Sequence, residues 1–133
     1  MAFNDTFRLS CHAVITNDGG KVLLLKANYG NYQWGLPGGA LEPGETIHQA
    51  LIRECLEELG QVVEIQCLTG VYFHSAYNSQ AFIFRAHLAQ PNIVLSTEHD
   101  EYGFFEIESL STVQQRRVRE CLDFNGQVQS AAF

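Results

Sequence analysis

The stretch that decides the reading is Gly39 to Gln61, GALEPGETIHQALIRECLEELGQ. Its second part predicts a helix. Thr46 and Gln49 stand as a capping box, each side chain satisfying a backbone N–H of the other residue. The helix runs to Leu59, and Gly60 is a stop that tolerates left-handed geometry. At 100° per residue from Ile47, Glu54, Glu57 and Glu58 fall at about 340°, 280° and 20°, within one sector. The apolar positions Leu51, Ile52, Cys55, Leu56 and Leu59 occupy about 40° to 180°, so the acids border the packed face. Two readings compete: a solvated acidic face, or a site for a hard divalent cation. Like charges at this spacing cost about 0.2–0.5 kcal/mol per pair. They also sit in the half of the helix whose macrodipole disfavours anions. Magnesium, in contrast, takes a few carboxylates together with waters and phosphate oxygens.

Outward from this helix, strands interleave with loops. Phe7 to Thr16 reads as a strand ending in the turn Asn17-Asp18-Gly19-Gly20. Lys21 to Ala27 reads as its partner, central because its middle is continuously apolar. Asn28 to Gln33 is a polar loop, and Trp34-Gly35-Leu36-Pro37-Gly38-Gly39 a rigid one. Beyond the helix, Val62 to Phe73 (bent near Gly70) and Gln80 to Ala89 read as strands. Ser96 to Gly103 reads as an acidic loop, Phe104 to Ile107 as a short strand, and Ser111 to Phe124 as a second helix. The expected class is α/β (α+β) with a mixed sheet, in a single domain over residues 1–133.

Composition bounds the function. The chain has 133 residues, 46% hydrophobic and 17% charged, which is globular. No apolar run approaches the ~20 residues of a membrane helix, and MAFNDTFRLS does not read as a signal peptide. Cys11, Cys55, Cys67 and Cys121 are scattered, with neither zinc-site nor disulfide spacing, so a cytoplasmic location is expected. A net charge of −7 argues against a surface for duplex nucleic acid. A negative protein handles phosphates through a metal cation.

The pattern Gly39, five residues, Glu45, seven residues, Arg53-Glu54, two residues, Glu57-Glu58, one residue, Gly60 resembles the Nudix box, G-x5-E-x7-R-E-U-x-E-E-x-G-U, with U a bulky aliphatic. All seven fixed letters match, which chance would produce roughly once in 10⁹ windows. Two aliphatic positions depart, holding Cys55 and Gln61. The resemblance implies a Nudix-type α/β/α sandwich. It implies magnesium or manganese held by Glu54, Glu57, Glu58 and the carbonyl of Gly39. Arg53 would hold the box glutamates in place, anchored on Glu45, with Gly38 supporting the loop. The implied chemistry is attack of water on a phosphorus of a diphosphate linkage, in a nucleoside diphosphate-type substrate such as a nucleoside triphosphate or dinucleoside polyphosphate. The general base is either Glu54 or a glutamate of Thr97-Glu98-His99-Asp100-Glu101-Tyr102, with Glu98 favoured over Glu101. Tyr29 and Tyr32 are candidates to stack on a base. Tyr77 lies where the dinucleoside-polyphosphate type often carries a tyrosine. The five histidines show no metal-ligand spacing, and Arg116, Arg117 and Arg119 form a small basic cluster that reads as a solvated face ahead of the alternative, a contact to phosphate. The partner is a small molecule, with neither membrane nor duplex nucleic acid expected, and homodimers occur among similar proteins. The rival reading is a non-catalytic nucleotide-sensing module of the same fold, which would not need three crowded carboxylates.

Overall fold

The computed structural model describes residues 2–133. In chain order the strands are β1 (Arg8–Val14), β2 (Val22–Ala27), β3 (Trp34–Gly35), β4 (Gly38–Ala40), β5 (Glu64–His74), β6 (Ser79–His87), β7 (His99–Phe105) and β8 (Gln129–Ala132). Helix α1 (Ile47–Leu59) follows β4, and α2 (Thr112–Leu122) precedes β8. Five strands form a mixed sheet in the order β4-β1-β6-β5-β8; three form an antiparallel sheet in the order β3-β2-β7. The β1–β6 and β5–β8 pairs are parallel.

The expected turn is present. Asn17 Oδ1 accepts from the N–H groups of Gly19 and Lys21, and Gly20 takes φ +78°. The strands it joins, however, do not form one continuous hairpin. They share the Thr16↔Val22 bridge and then part, β1 into the large sheet and β2 into the small one. Both faces of β2 explain this. Leu23 and Leu25 pack with α1, whereas Val22 and Leu24 pack with α2. The alternation of a strand buried on both sides produces the continuous apolar run.

Helix α1 covers one face of the large sheet through Ala50, Leu51, Cys55 and Leu59, against Cys11, Ala13, Ile15, Phe84 and Ala86. Helix α2 covers the other through Val118 and Cys121, against Val14, Tyr72 and Ile83. This is the expected α/β/α layering. Leu56, at the edge of the expected apolar stripe, is exposed instead. Both ends of α1 are as read: Thr46 and Gln49 form the capping box, and Gly60 takes φ +73°. Register shifts at Ile65/Cys67 and Leu68/Gly70 bend β5.

Two expectations are corrected and one strand is added. The acidic stretch 96–103 is a loop only through Glu98; from His99 it is β7, because its backbone pairs with β2. The rigid loop 34–39 carries the two short strands β3 and β4. Strand β8, too short and polar to show in the periodicity, is added by pairing with β5. Gln61, the polar departure in the box, is buried and fully used. Its amide donates to Gln90 O and Asn92 O and accepts from the N–H groups of Ala89 and Gln90, closing the chain after β6.

Candidate active site

The site grows from the contact between β4 and α1. Gly38 takes φ +143°, and a Cβ there would overlap the carbonyl oxygen of Cys11 on β1. Only glycine lets this strand lie so close. The position lets the Gly38 N–H donate to Glu58 Oε1 at 2.8 Å. One residue on, Gly39 leaves room for Glu54: a Cβ would stand 2.7 Å from its carboxyl carbon.

Arg53 organises the same end of the helix. Its Nε and Nη2 donate to Glu45 at 2.6 and 2.9 Å, Nη1 to Glu54 Oε1 at 3.0 Å, and Nη2 to Ala40 O at 3.1 Å. Glu57 Oε2 lies 3.5 Å from Nη1. Glu45 Oε1 also accepts from the Glu42 N–H, which locks the loop before α1. These hydrogen bonds hold the Glu45 carboxyl down at about 2. One guanidinium therefore fixes a bidentate anchor, one carboxylate of the cleft and a strand carbonyl together.

The electrostatics of the cleft are those of an excess of negative charge. Glu58 is 4% exposed, and burial pushes its carboxyl up to about 8, with Glu54 and Glu98 adding to the rise. Burial also raises Glu54, against the pull of Arg53. Such carboxylates ionise readily once a cation neutralises them. Among the described residues, no three His, Cys, Asp or Glu side chains converge closely enough to enclose a cation unaided. The side-chain donors are hard oxygens, with Gly39 lining the same cleft as Glu54 and Glu58. This set fits magnesium or manganese completed by waters and substrate phosphate rather than a closed protein cage.

A model of the NUDIX domain matches residues 6–122. The chain belongs to the Nudix family. An ADP-ribose pyrophosphatase of Methanocaldococcus jannaschii is 37% identical over 73 residues, covering 50% of this chain and 43% of that protein. An RNA pyrophosphohydrolase of Hamiltonella defensa is 35% identical over 86 residues, covering 64% of this chain and 52% of that one. The chain thus spans about half the length of the curated relatives it matches. The crystal structure of an ADP-ribose pyrophosphatase from Streptococcus suis superposes with a TM-score of 0.77 at 20% identity, covering 96% of this chain and 100% of that one. This likeness speaks for the fold. Nudix hydrolases generally use divalent metal ions.

Within this Nudix domain the remaining candidates separate. Glu98 and His99 line a cleft of about 400 Å³ with Gly38, Gly39, Glu54, Glu58 and Tyr29. The loop carrying Glu98 is tied to the end of β2, where the Asn28 N–H donates to Glu98 O at 3.0 Å. Glu101 pairs across the small sheet with Lys26 and does not line the cleft. Tyr29 reaches the cleft; Tyr32, at φ +55°, does not line it. Tyr77 lines an adjoining pocket. Glu57 is the most exposed of the three box glutamates, its side chain 58% open. Sequence reasoning missed His99, whose Nε2 lies 3.8 Å from Glu58 Oε2, His12, which also lines the cleft, and Asn28, which ties down the Glu98 loop. Their signal was only proximity to the turn and the acidic stretch, since no spacing rule marks them. No helix among the described residues is long and apolar enough to cross a membrane.

Proposed function

We propose that this chain is a magnesium- or manganese-dependent pyrophosphohydrolase. It cleaves a diphosphate linkage in a small nucleotide-type substrate by attack of water at phosphorus, with residues 1–133 acting as one domain in the cytoplasm. The carrying observation is the seating of Glu58 on the Gly38 N–H and of Glu54 against Gly39. The buried Glu58 and the half-buried Glu54 thereby line one cleft with Gly39, which supports the reading. Resemblance to relatives named pyrophosphatase and pyrophosphohydrolase supports the same reaction class.

Glu54, Glu57, Glu58 and the Gly39 carbonyl would hold the cation. Held there, it would supply positive charge against the phosphates and make water easier to deprotonate. The chain's own residues do the rest. Arg53 fixes the rotamer of Glu54 and is itself anchored on Glu45. Glu98, on the loop facing Glu54 and Glu58, takes the proton of the attacking water as general base. Tyr29, on the cleft wall, offers a ring face to the nucleobase.

The test is phosphate release from nucleoside triphosphates, dinucleoside polyphosphates, ADP-ribose and nucleotide sugars, with magnesium or manganese and with chelator. Turnover of one class that chelator abolishes is the expected result. Nucleotide binding without turnover of any class, at saturating metal, overturns the reading in favour of a non-catalytic nucleotide-sensing module.

A further inference from the structure

Arg117 has no part in the chemistry above, and it is not solvated. It lies on α2 and is 6% exposed, in contrast to the solvated face expected for its cluster. Its Nη1 is 3.0 Å from His74 Nε2, and Nη2 donates to Gln114 Oε1 at 2.7 Å. Its Nε is buried without a hydrogen-bond partner. Among the described residues no carboxylate pairs with it. Glu120, the nearest acid in sequence, accepts from the Tyr72 hydroxyl at 2.7 Å and from Arg116 Nε at 3.4 Å. Burial pushes the Arg117 guanidinium down to about 10. A buried cation without a counterion is costly and is rare unless something pairs with it.

Its surroundings repeat the deficit. His12 and His74 face it, and burial together with Arg117 lowers both, His12 to about 3. His12 Nδ1 is buried with no hydrogen-bond partner. Arg8, at the exposed rim, forms no ion pair among the described residues. These groups line one pocket of about 430 Å³ with Tyr77 and Ser79. In a chain of net charge −7, two unpaired guanidiniums and two imidazoles share a wall with no acid. The pocket is continuous with the acidic cleft: Arg8, His12, Tyr29, Gly39 and Ala40 line both. One molecule can therefore lie across the acidic cleft and the basic pocket.

We propose that the Arg117 pocket is an anion subsite that receives a phosphomonoester of the substrate, remote from the diphosphate cleaved in the cleft. Its role in substrate selection rests on the diphosphate chemistry proposed above; its affinity for phosphate does not. An anion there gives Arg117 the charged partner it lacks and can accept a hydrogen bond from the free Nε.

The first arm is thermal unfolding in chelator, with inorganic phosphate compared against chloride at equal ionic strength. Phosphate should raise the Tm of the wild-type protein, leave Arg117→Met unmoved and give a reduced shift in Arg8→Gln and Arg117→Lys. No shift in the wild type, or an equal shift in Arg117→Met, overturns the site. Should Arg117→Met fail to fold, Arg8→Gln and Arg117→Lys decide: shifts equal to wild type in both overturn it. In the same assay, adenosine stabilising as strongly as adenosine 3′-phosphate makes this a base pocket and overturns the proposal. The second arm compares a nucleoside 5′-triphosphate with its 3′-phosphorylated counterpart under magnesium. The 3′-phosphate should lower KM about tenfold, and Arg117→Met should erase that difference. Equal KM values in an active enzyme overturn the substrate role. Hydrolysis of neither compound at saturating metal counts against the diphosphate chemistry, while the thermal arm still decides the anion site.

Discussion

A Cβ at position 39 would stand 2.7 Å from the Glu54 carboxyl carbon and 2.8 Å from both its oxygens. The obstructing atoms are the end of a flexible side chain, so Gly39→Ala should fold and displace Glu54. The expected loss in kcat is on the order of 10²-fold, with Tm lowered by only a few degrees. At position 38 the obstruction is backbone on β1 and the φ is +143°. Gly38→Ala should therefore lose the fold, by about 3 kcal/mol or more. Circular dichroism melts beside turnover separate the two; equal Tm values would refute the distinction.

The Arg53 fork yields a second expectation. Lysine cannot make the bidentate bond to Glu45 and also reach Glu54 and Ala40 O. Arg53→Lys should cost about 10- to 100-fold in kcat and weaken the dependence on magnesium concentration. Glu45 titrates well below its unfolded value, so the native state binds fewer protons than the unfolded chain between roughly pH 4.5 and 2. Its contribution is therefore present above that window and lost as the pH falls through it. Glu45→Gln should flatten the acid side of a Tm-versus-pH curve; an unaltered curve would mean that the pair is only a surface contact.

Glu58 works in the opposite direction. Its folded pKa of about 8 lies above the unfolded value, so the metal-free native state binds the extra proton between about 4.5 and 8. Stability in chelator should accordingly fall as pH rises through that window. Glu58→Gln removes the buried charge while its carbonyl oxygen can still accept from the Gly38 N–H. The variant should melt about 5 °C higher than wild type at pH 8 in chelator, lose the stabilisation that magnesium gives, and lose turnover by orders of magnitude. Calorimetry with and without magnesium reads all of this; a Glu58→Gln protein that magnesium still stabilises would remove Glu58 from the metal site.

Glu98 and Glu101 are three residues apart and differ in place. Glu98 faces Glu54 and Glu58 across the cleft, whereas Glu101 stands opposite Lys26 on the small sheet. Glu98→Gln should lower kcat at least 100-fold. Glu101→Gln should change kcat less than about threefold. Small and equal effects would return the base role to Glu54.

Much of the site was legible because it is local. The capping box, the Gly60 stop and the i, i+3, i+4 placement of Glu54, Glu57 and Glu58 are set within a few turns of one helix. Such spacing follows from 3.6 residues per turn whatever the rest of the chain does. The separation of Glu98 from Glu101 was not legible, since it depends on where the β2–β7 pairing begins. Nor was Arg117: three arginines on a polar-looking helix read as solvated, and only the packing of α2 onto β5 buries one beside His74.

The division follows the range of the forces. Residues near one another in the chain settled helix α1, its caps, the Asn17–Gly20 turn and the acid-lined face, because short-range hydrogen bonds and side-chain periodicity act there. Long-range packing settled which strands pair, and so which groups meet. It parted β1 from β2, recruited β8, set the Gly38 N–H on Glu58 and put a carboxylate cleft next to a basic pocket. A strand's partners are chosen by burying both of its faces at once, a condition no short window of residues contains.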